Sequence, residues 1–304
     1  MQFAPTSSLR FVLLLSLALA AQAARGQDGL LNELERLSPD STRREWVQAT
    51  FKGTRIINGH SVETPGAGTL IFLISHRFGP VNSGAYNFFG LDQATIRLGL
   101  EYGLTDRLAV GVGRTSVEKT FDGYLKYRAL RQRTGVGGSP VTVTLLAGTA
   151  LNTLRYSRAV DGFERTFTRR LSYTWQAQVA RKISPALSVQ VAPTVVHRNL
   201  VETNADPTNV YALGLAGRQK LTKRLALTLE YFYRLPDFRT TGWHDALGAG
   251  VDIETGGHVF QLHVTNANAM IEPQFIPRTS GQFSRGDIFF GFNVVRNFTL
   301  KPGL

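Results

Sequence analysis

The stretch LSYTWQAQVARKISPALSVQVAPTVV, residues 171–196, alternates almost without a break. Leu171, Tyr173, Trp175, Ala177 and Val179 share one parity, and Ser172, Thr174, Gln176, Gln178 and Ala180 share the other. After the interruption KISPA, Leu187, Val189 and Val191 alternate with Ser188, Gln190 and Ala192. Successive strand residues point to opposite faces, so this is the pattern of two strands joined by a tight turn. The same grammar predicts twelve strands, at 69–76, 93–103, 107–115, 121–132, 140–152, 168–182, 187–198, 208–220, 225–234, 244–254, 258–266 and 285–298.

The two faces differ in an informative way. One is Leu, Val, Phe, Tyr and Trp. The other is mostly Ser, Thr, Gln, Gly and Ala, with scattered charge, rather than the Lys and Glu usual on a wet strand face. Leu225, Leu227, Leu229, Tyr231 and Tyr233 oppose Ala226, Thr228, Glu230 and Arg234. Bulky apolar residues outside and small polar residues inside define a transmembrane barrel. A lipid core cannot hydrogen-bond a strand edge, so the sheet must close. A soluble β-sandwich would use the same alternation for its core, but its small polar rows would face solvent. Tyr102, Tyr173, Trp175, Tyr211, Tyr231 and Tyr233 lie where aromatic girdles are expected.

The connections sort by length. GLTDRL (103–108), KISPAL (182–187), KLTKRL (220–225) and ETGGH (254–258) are tight, and RQRTGVGGSP (131–140) is slightly longer. The links at 77–92, 153–167, 199–207, 235–243 and 267–284 are long. Short turns at the periplasmic end and long loops outside are the barrel arrangement. An even strand count then puts both chain ends in the periplasm, and links 153–167 and 267–284 outside.

Ahead of the strands, Arg10 precedes FVLLLSLALAAQAARG, an apolar run too short to span a bilayer, with small residues at Ala21 and Ala23. This predicts an export signal over residues 1–23, a periplasmic lead-in over 24–68 and an outer-membrane barrel over 69–304. Leu30, Leu31, Leu34 and Leu37 predict a short amphipathic helix within 28–46, broken at Pro39. The mixed segment ATFKGTRIINGHSVETPGAG reads as an extended lead-in.

Composition narrows the chemistry. Charged residues are 18% of the chain against about 25% in an average soluble domain. The chain has no cysteine, which excludes disulfides, thiolate metal sites, a cysteine nucleophile and a lipidated N-terminal cysteine. The net charge of +12 would ordinarily raise nucleic acid as a partner, which export argues against. Arg155, Arg158, Arg165, Arg169 and Arg170 crowd the link RYSRAVDGFERTFTRR. On the long-loop side they are candidates for contact with lipopolysaccharide phosphates.

The strings TFKGTRIINGHSVETPG, ISHRFGPV, FFGLDQATIRLGLEYGLTDRLAVGVGR and KTFDGYLKYRALRQ resemble an uncharacterised family of β-barrel proteins from Bacteroidota, most strongly over residues 49–132. The resemblance implies a barrel fold and an outer-membrane location. It brings no substrate, activity or catalytic residue.

Candidate chemistry is sparse. His258 and His263 are five apart on one strand and so face opposite ways. His60, His76, His197 and His244 sit in or near connections, and Ser75 and His76 are adjacent and cannot share a face. No nucleophile elbow or phosphate loop is present. Arg97, Glu101, Lys126, Arg128, Glu230 and Asp252 fall on the inward parity and are expected to form a lumen network of ion pairs that tunes any pore. The expected function is a non-enzymatic outer-membrane barrel without cofactor, either a narrow channel or a structural platform. Its lumen is narrow enough for side chains or an inserted N-terminal segment to plug. The expected partners are outer-membrane lipid, lipopolysaccharide, the barrel-assembly machinery and an unidentified periplasmic protein. The alternative is an outer-membrane hydrolase or acyltransferase with its site at the extracellular rim.

Overall fold

The computed structural model describes residues 45–135, 137–156, 164–204, 206–255 and 258–300. Its main unit comprises Trp46–Thr134 and Gly138–Leu304, and a second small unit comprises Met1–Glu45 and Gly135–Gly137. The export signal lies outside the described residues, as does the expected helix at 28–46 apart from Glu45 and Trp46.

Twelve antiparallel strands close into one barrel in which each strand pairs with its sequence neighbours and β1 pairs with β12. They are β1 (Thr69–Pro80), β2 (Ala94–Gly103), β3 (Leu108–Thr115), β4 (Phe121–Leu130), β5 (Thr142–Leu151) and β6 (Leu171–Lys182), followed by β7 (Leu187–Arg198), β8 (Asn209–Lys220), β9 (Leu225–Arg234), β10 (Ala246–Thr255), β11 (His258–Thr265) and β12 (Phe289–Thr299). Closure runs from Thr69 opposite Thr299 to Pro80 opposite Phe289, with one irregularity between Arg77 and Pro80. The expected strand count and order hold.

The inside-out parity also holds. Gln176, Gln178, Thr228 and Glu230 are buried in the interior, whereas Trp175, Leu227 and Leu229 are exposed on the outer wall, Leu229 at 60%. Leu171 and Tyr173 share the outward parity and are half-buried among their neighbours. Strand β1 was the least readable. Ile71, Leu73, Ser75 and Arg77 are its inward residues, and two of the four are as apolar as the outward Leu70, Phe72 and Ile74. On β7 the proline faces outward in mid-strand. The β6–β7 ladder skips Ala177 and Gln178 opposite Ala192 and Pro193, where the proline ring has no N–H to give.

The lumen is filled by two segments that enter from opposite ends. From the short-turn end, residues 50–63 run in and return to β1, and nearly all of them are buried. Their apex is a small hairpin in which Arg55 pairs with His60 around a two-residue turn at Ile57 and Asn58. The Ile56 N–H donates to the Gly59 carbonyl at 2.9 Å, and the Ser61 N–H to the Thr54 carbonyl at 3.0 Å.

From the other end, the β11–β12 link folds inward, which corrects the expectation that 267–284 lies outside. Ala267, Ala269, Met270, Ile271, Phe275 and Ile276 are buried, and the link carries one short helix, α1 (Glu272–Phe275). Its apolar residues explain the inward course. They pack against Val196, Val210, Ala212, Phe232 and Ala246 of the wall, and Phe275 meets Phe232 edge-on at 5.0 Å between ring centroids. Asn266 ties the entrance of the link to its exit: its amide donates to the Asp245 and Gly281 carbonyls at 2.9 Å each, and its side-chain oxygen accepts from the Leu247 N–H at 2.8 Å.

The outward assignment makes a quantitative prediction. Leu229→Arg puts a guanidinium on the lipid side in mid-strand and is expected to cost about 2–4 kcal/mol. Leu229→Phe should be tolerated. Urea titration of the folded barrel in lipid bilayers checks this, and equal stability of the two variants would contradict the facing of β9.

Candidate functional site

The candidate site is the surface along which the inserted hairpin meets the wall. Backbone groups carried into a barrel interior still need hydrogen-bond partners, and here wall side chains supply them. The Glu230 carboxylate accepts from three consecutive backbone N–H groups at the hairpin apex, Ile57 at 3.2 Å, Asn58 at 2.9 Å and Gly59 at 2.9 Å. Arg77, fully buried, donates to the Asn58 side-chain oxygen at 2.9 Å and to the Ile57 carbonyl at 3.3 Å. The Asn293 amide donates to the same Ile57 carbonyl at 3.1 Å. Gln261 donates to the Ile56 carbonyl at 3.0 Å and also to Asp252 at 2.9 Å.

The descending limb is held in the same manner. Gln190 donates to the His60 carbonyl at 2.8 Å and accepts from the Val62 N–H at 2.9 Å. Thr144 donates to the Val62 carbonyl at 2.7 Å, and Lys126 to the Glu63 carbonyl at 2.6 Å. Gly59 fits because it lacks a side chain. A Cβ there would lie 2.7 Å from the Phe232 ring and 3.3 Å from a Glu230 oxygen.

The two inserted segments meet near the middle of the lumen. Arg55 of the hairpin donates to Glu272 of α1 at 3.0 Å and to the Asn58 carbonyl at 2.8 Å, with both ion-pair partners buried. The His60 ring packs edge-on against Tyr124 at 4.5 Å, and Tyr124 donates to Glu101 at 3.4 Å. Around this contact lie further charge pairs. Arg97 grips Asp122 through two nitrogens, with Nε at 2.9 Å. Lys126 lies 3.9 Å from Glu101, and Arg218 bridges Asp252 at 3.1 Å and Glu254 at 2.7 Å.

Above α1, the mouth of the barrel holds a second polar region. A cavity of about 650 Å³ opens there between the β3–β4, β5–β6 and β7–β8 links. One side is closed by Arg278, which takes both oxygens of Glu118 at 2.9 and 3.0 Å and one of Glu202 at 2.9 Å. Burial pushes the Glu118 carboxyl up, but its bonds from Arg278 and Gln274 outweigh that and hold it below the usual carboxylate range. The Glu118–Arg278 contribution is therefore present at neutral pH and is lost only as pH falls through that lowered value.

A model of membrane bound beta barrel domains, DUF5777, matches residues 51–298. The chain belongs to this family. The matched range begins inside the inserted segment, so the family pattern takes in the hairpin as well as the strands. No protein of curated function matches it in sequence. Among solved structures it is similar in fold to the NanC porin (8% identity, 75% of this chain and 98% of that one, TM-score 0.45). It is also similar to Omp33 of Acinetobacter baumannii (11%, 76% and 98%, 0.40) and to LpxR of Salmonella typhimurium (12%, 76% and 99%, 0.31).

Of the inward charges expected from the sequence, Arg97, Glu101, Lys126, Glu230 and Asp252 are buried in the lumen, and Arg128 reaches Glu63 at 3.4 Å and the Thr64 carbonyl at 3.2 Å. Most of these groups are buried and hydrogen-bonded to the inserted segment or to each other. Arg55, Arg77, Gln190, Arg218, Gln261, Glu272 and Asn293 also hold the arrangement and were not singled out. Their parity marked the strand residues as inward. No local pattern marked Arg55 or Glu272.

In the β5–β6 link, Arg165, Arg169 and Arg170 line the mouth cavity, Arg155 is exposed outside it, and Arg158 lies outside the described residues. Among the described residues no group of three or more His, Asp or Glu is placed to hold a metal ion.

Removing Glu230 should expose how much the apex depends on it. Glu230→Ala strands three buried N–H donors, and each unsatisfied donor costs about 1–3 kcal/mol. Glu230→Gln keeps an acceptor oxygen and should lose less. Chemical denaturation of the two variants in detergent decides this, and an unchanged Glu230→Ala midpoint would contradict the contact.

Proposed function

We propose that the protein is a non-enzymatic outer-membrane β-barrel whose lumen is sealed at rest, a platform or gated channel rather than an open pore. The observation that carries this reading is the buried Arg55–Glu272 contact at 3.0 Å, where segments entering from opposite ends meet inside the lumen. A diffusion porin needs an unobstructed lumen, and here the lumen's polar side chains are spent on the inserted backbone. The short turns and both ends of the barrel domain would face the periplasm and the long-link end of the barrel the exterior, with lipopolysaccharide around the outer rim and the barrel-assembly machinery as the route of insertion. A segment that enters from the periplasmic end also offers an unidentified periplasmic partner a handle for displacing it.

A hydrolase or acyltransferase at the rim has less support. Such chemistry needs a hydroxyl nucleophile in hydrogen-bond reach of a base. Among the described residues His197 bonds only the asparagines Asn199 and Asn209, and the Ser61 hydroxyl donates to the Gly53 carbonyl.

Planar-bilayer recording of the full chain tests the proposal. The native protein should be electrically silent. Arg55→Glu alone should introduce openings by setting two carboxylates face to face, and Arg55→Glu with Glu272→Arg should restore silence. A steady open conductance of the native protein would contradict the sealed reading.

A further inference from the structure

The sealing network leaves the mouth cavity unused. Arg278 on one side of it holds Glu118 and Glu202. Arg198 and Arg170 form no salt bridge with any described carboxylate. Arg198 is 7% exposed, its side chain makes one hydrogen bond, from Nη2 to the Pro207 carbonyl at 3.2 Å, and its Nε is left without a partner. The Nε of Arg170 is likewise unpartnered. Burying guanidinium groups with unused donors is costly, and a structure retains them where an anion supplies the missing acceptors.

The floor of the same cavity adds an acceptor of the opposite kind. Gln274 is 4% exposed, and its amide nitrogen donates to Thr120 at 3.0 Å, while its Oε1 has no partner. Asn152 and Ser172 also line the space. An anionic group against two arginine forks, with hydroxyls reaching Gln274 and Asn152, describes a hydroxyl-bearing anion. The volume of about 650 Å³ falls in the range of small-molecule sites.

We infer that this mouth cavity, centred on Arg198, Arg170 and Gln274, is a binding site for a soluble sugar phosphate. Phosphate oxygens match the fork of an arginine side chain better than any neutral group does. A lipopolysaccharide headgroup offers the same phosphate chemistry from another source. The direction of the side chains favours the soluble source: Arg198 lies on the inward parity of β7, opposite the outward His197, and the cavity opens over the lumen rather than over the lipid-facing wall.

The test is isothermal titration of the full chain in detergent micelles at low ionic strength with glucose 6-phosphate, glucose and lipopolysaccharide micelles. Saturable binding of glucose 6-phosphate and none of glucose are expected. Arg198→Ala and Arg170→Ala should each weaken binding about tenfold or more, the loss of one charge-assisted hydrogen bond or more. Arg224→Ala, in the exposed turn at the other end, should bind as the native protein does. If Arg198→Ala fails to fold, the half-exposed Arg170 gives the same reading from its own variant. Absence of glucose 6-phosphate binding, equal binding of glucose, or native affinity in the arginine variants would overturn the site. Binding of lipopolysaccharide without glucose 6-phosphate would overturn the soluble ligand.

Discussion

A carboxylate buried inside a barrel has to find donors, and Glu230 finds three in a row on the backbone of one turn. The rest of the interior follows from that constraint. Once the apex at Ile57–Gly59 is anchored, its carbonyls and the limbs behind it must also be satisfied, and Arg77, Asn293, Gln261, Gln190, Thr144 and Lys126 each take one or two of them. The polar lumen is therefore the complement of a peptide chain rather than of bulk water. Breaking one such buried contact strands its partner, so the network acts as a unit and not as a sum of weak pairs.

The second segment depends on the first. Glu272 would be an unpaired buried carboxylate on α1 without Arg55, and Arg55 would be an unpaired buried guanidinium without Glu272. The apolar half of the same link has a separate reason to be inside, since Phe275 and Ile276 pack against Phe232 and the small wall residues Ala212 and Ala246. A polar contact thus fixes where the two segments meet, and apolar packing holds the outer one against the wall. The mouth cavity lies on the far side of that contact, and its floor residue Gln274 sits on the same short helix as Glu272.

Much of the barrel was legible because period-two alternation is a local signal. It is readable wherever the two faces differ in kind, as in Leu225–Arg234 with Leu227 and Leu229 out and Thr228 and Glu230 in. It is weakest on β1, where Ile71 and Leu73 point inward beside Val295 and both parities are apolar. The inserted hairpin was not legible for another reason. TRIINGHS is too short and too mixed to show a period, and apart from Arg77 its wall partners are 130 to 236 residues away in sequence, from Gln190 to Asn293. The link at 267–284 misled because length alone was read as exposure, although its Ala, Met, Ile and Phe content fits a packed core better than a solvated loop. Of the candidate site, the inward charges were readable from parity, but what they bind was not.

The central claim is that residues 54–61 are folded inside the barrel and bonded to its wall. Hydrogen–deuterium exchange of the intact protein in lipid measures this directly. The Ile56, Ile57, Asn58, Gly59 and Ser61 amides should exchange as slowly as those of the strands, because each is bonded within the hairpin or to Glu230. Exchange of these amides at the rate of an exposed loop, while the strands stay protected, would contradict the account.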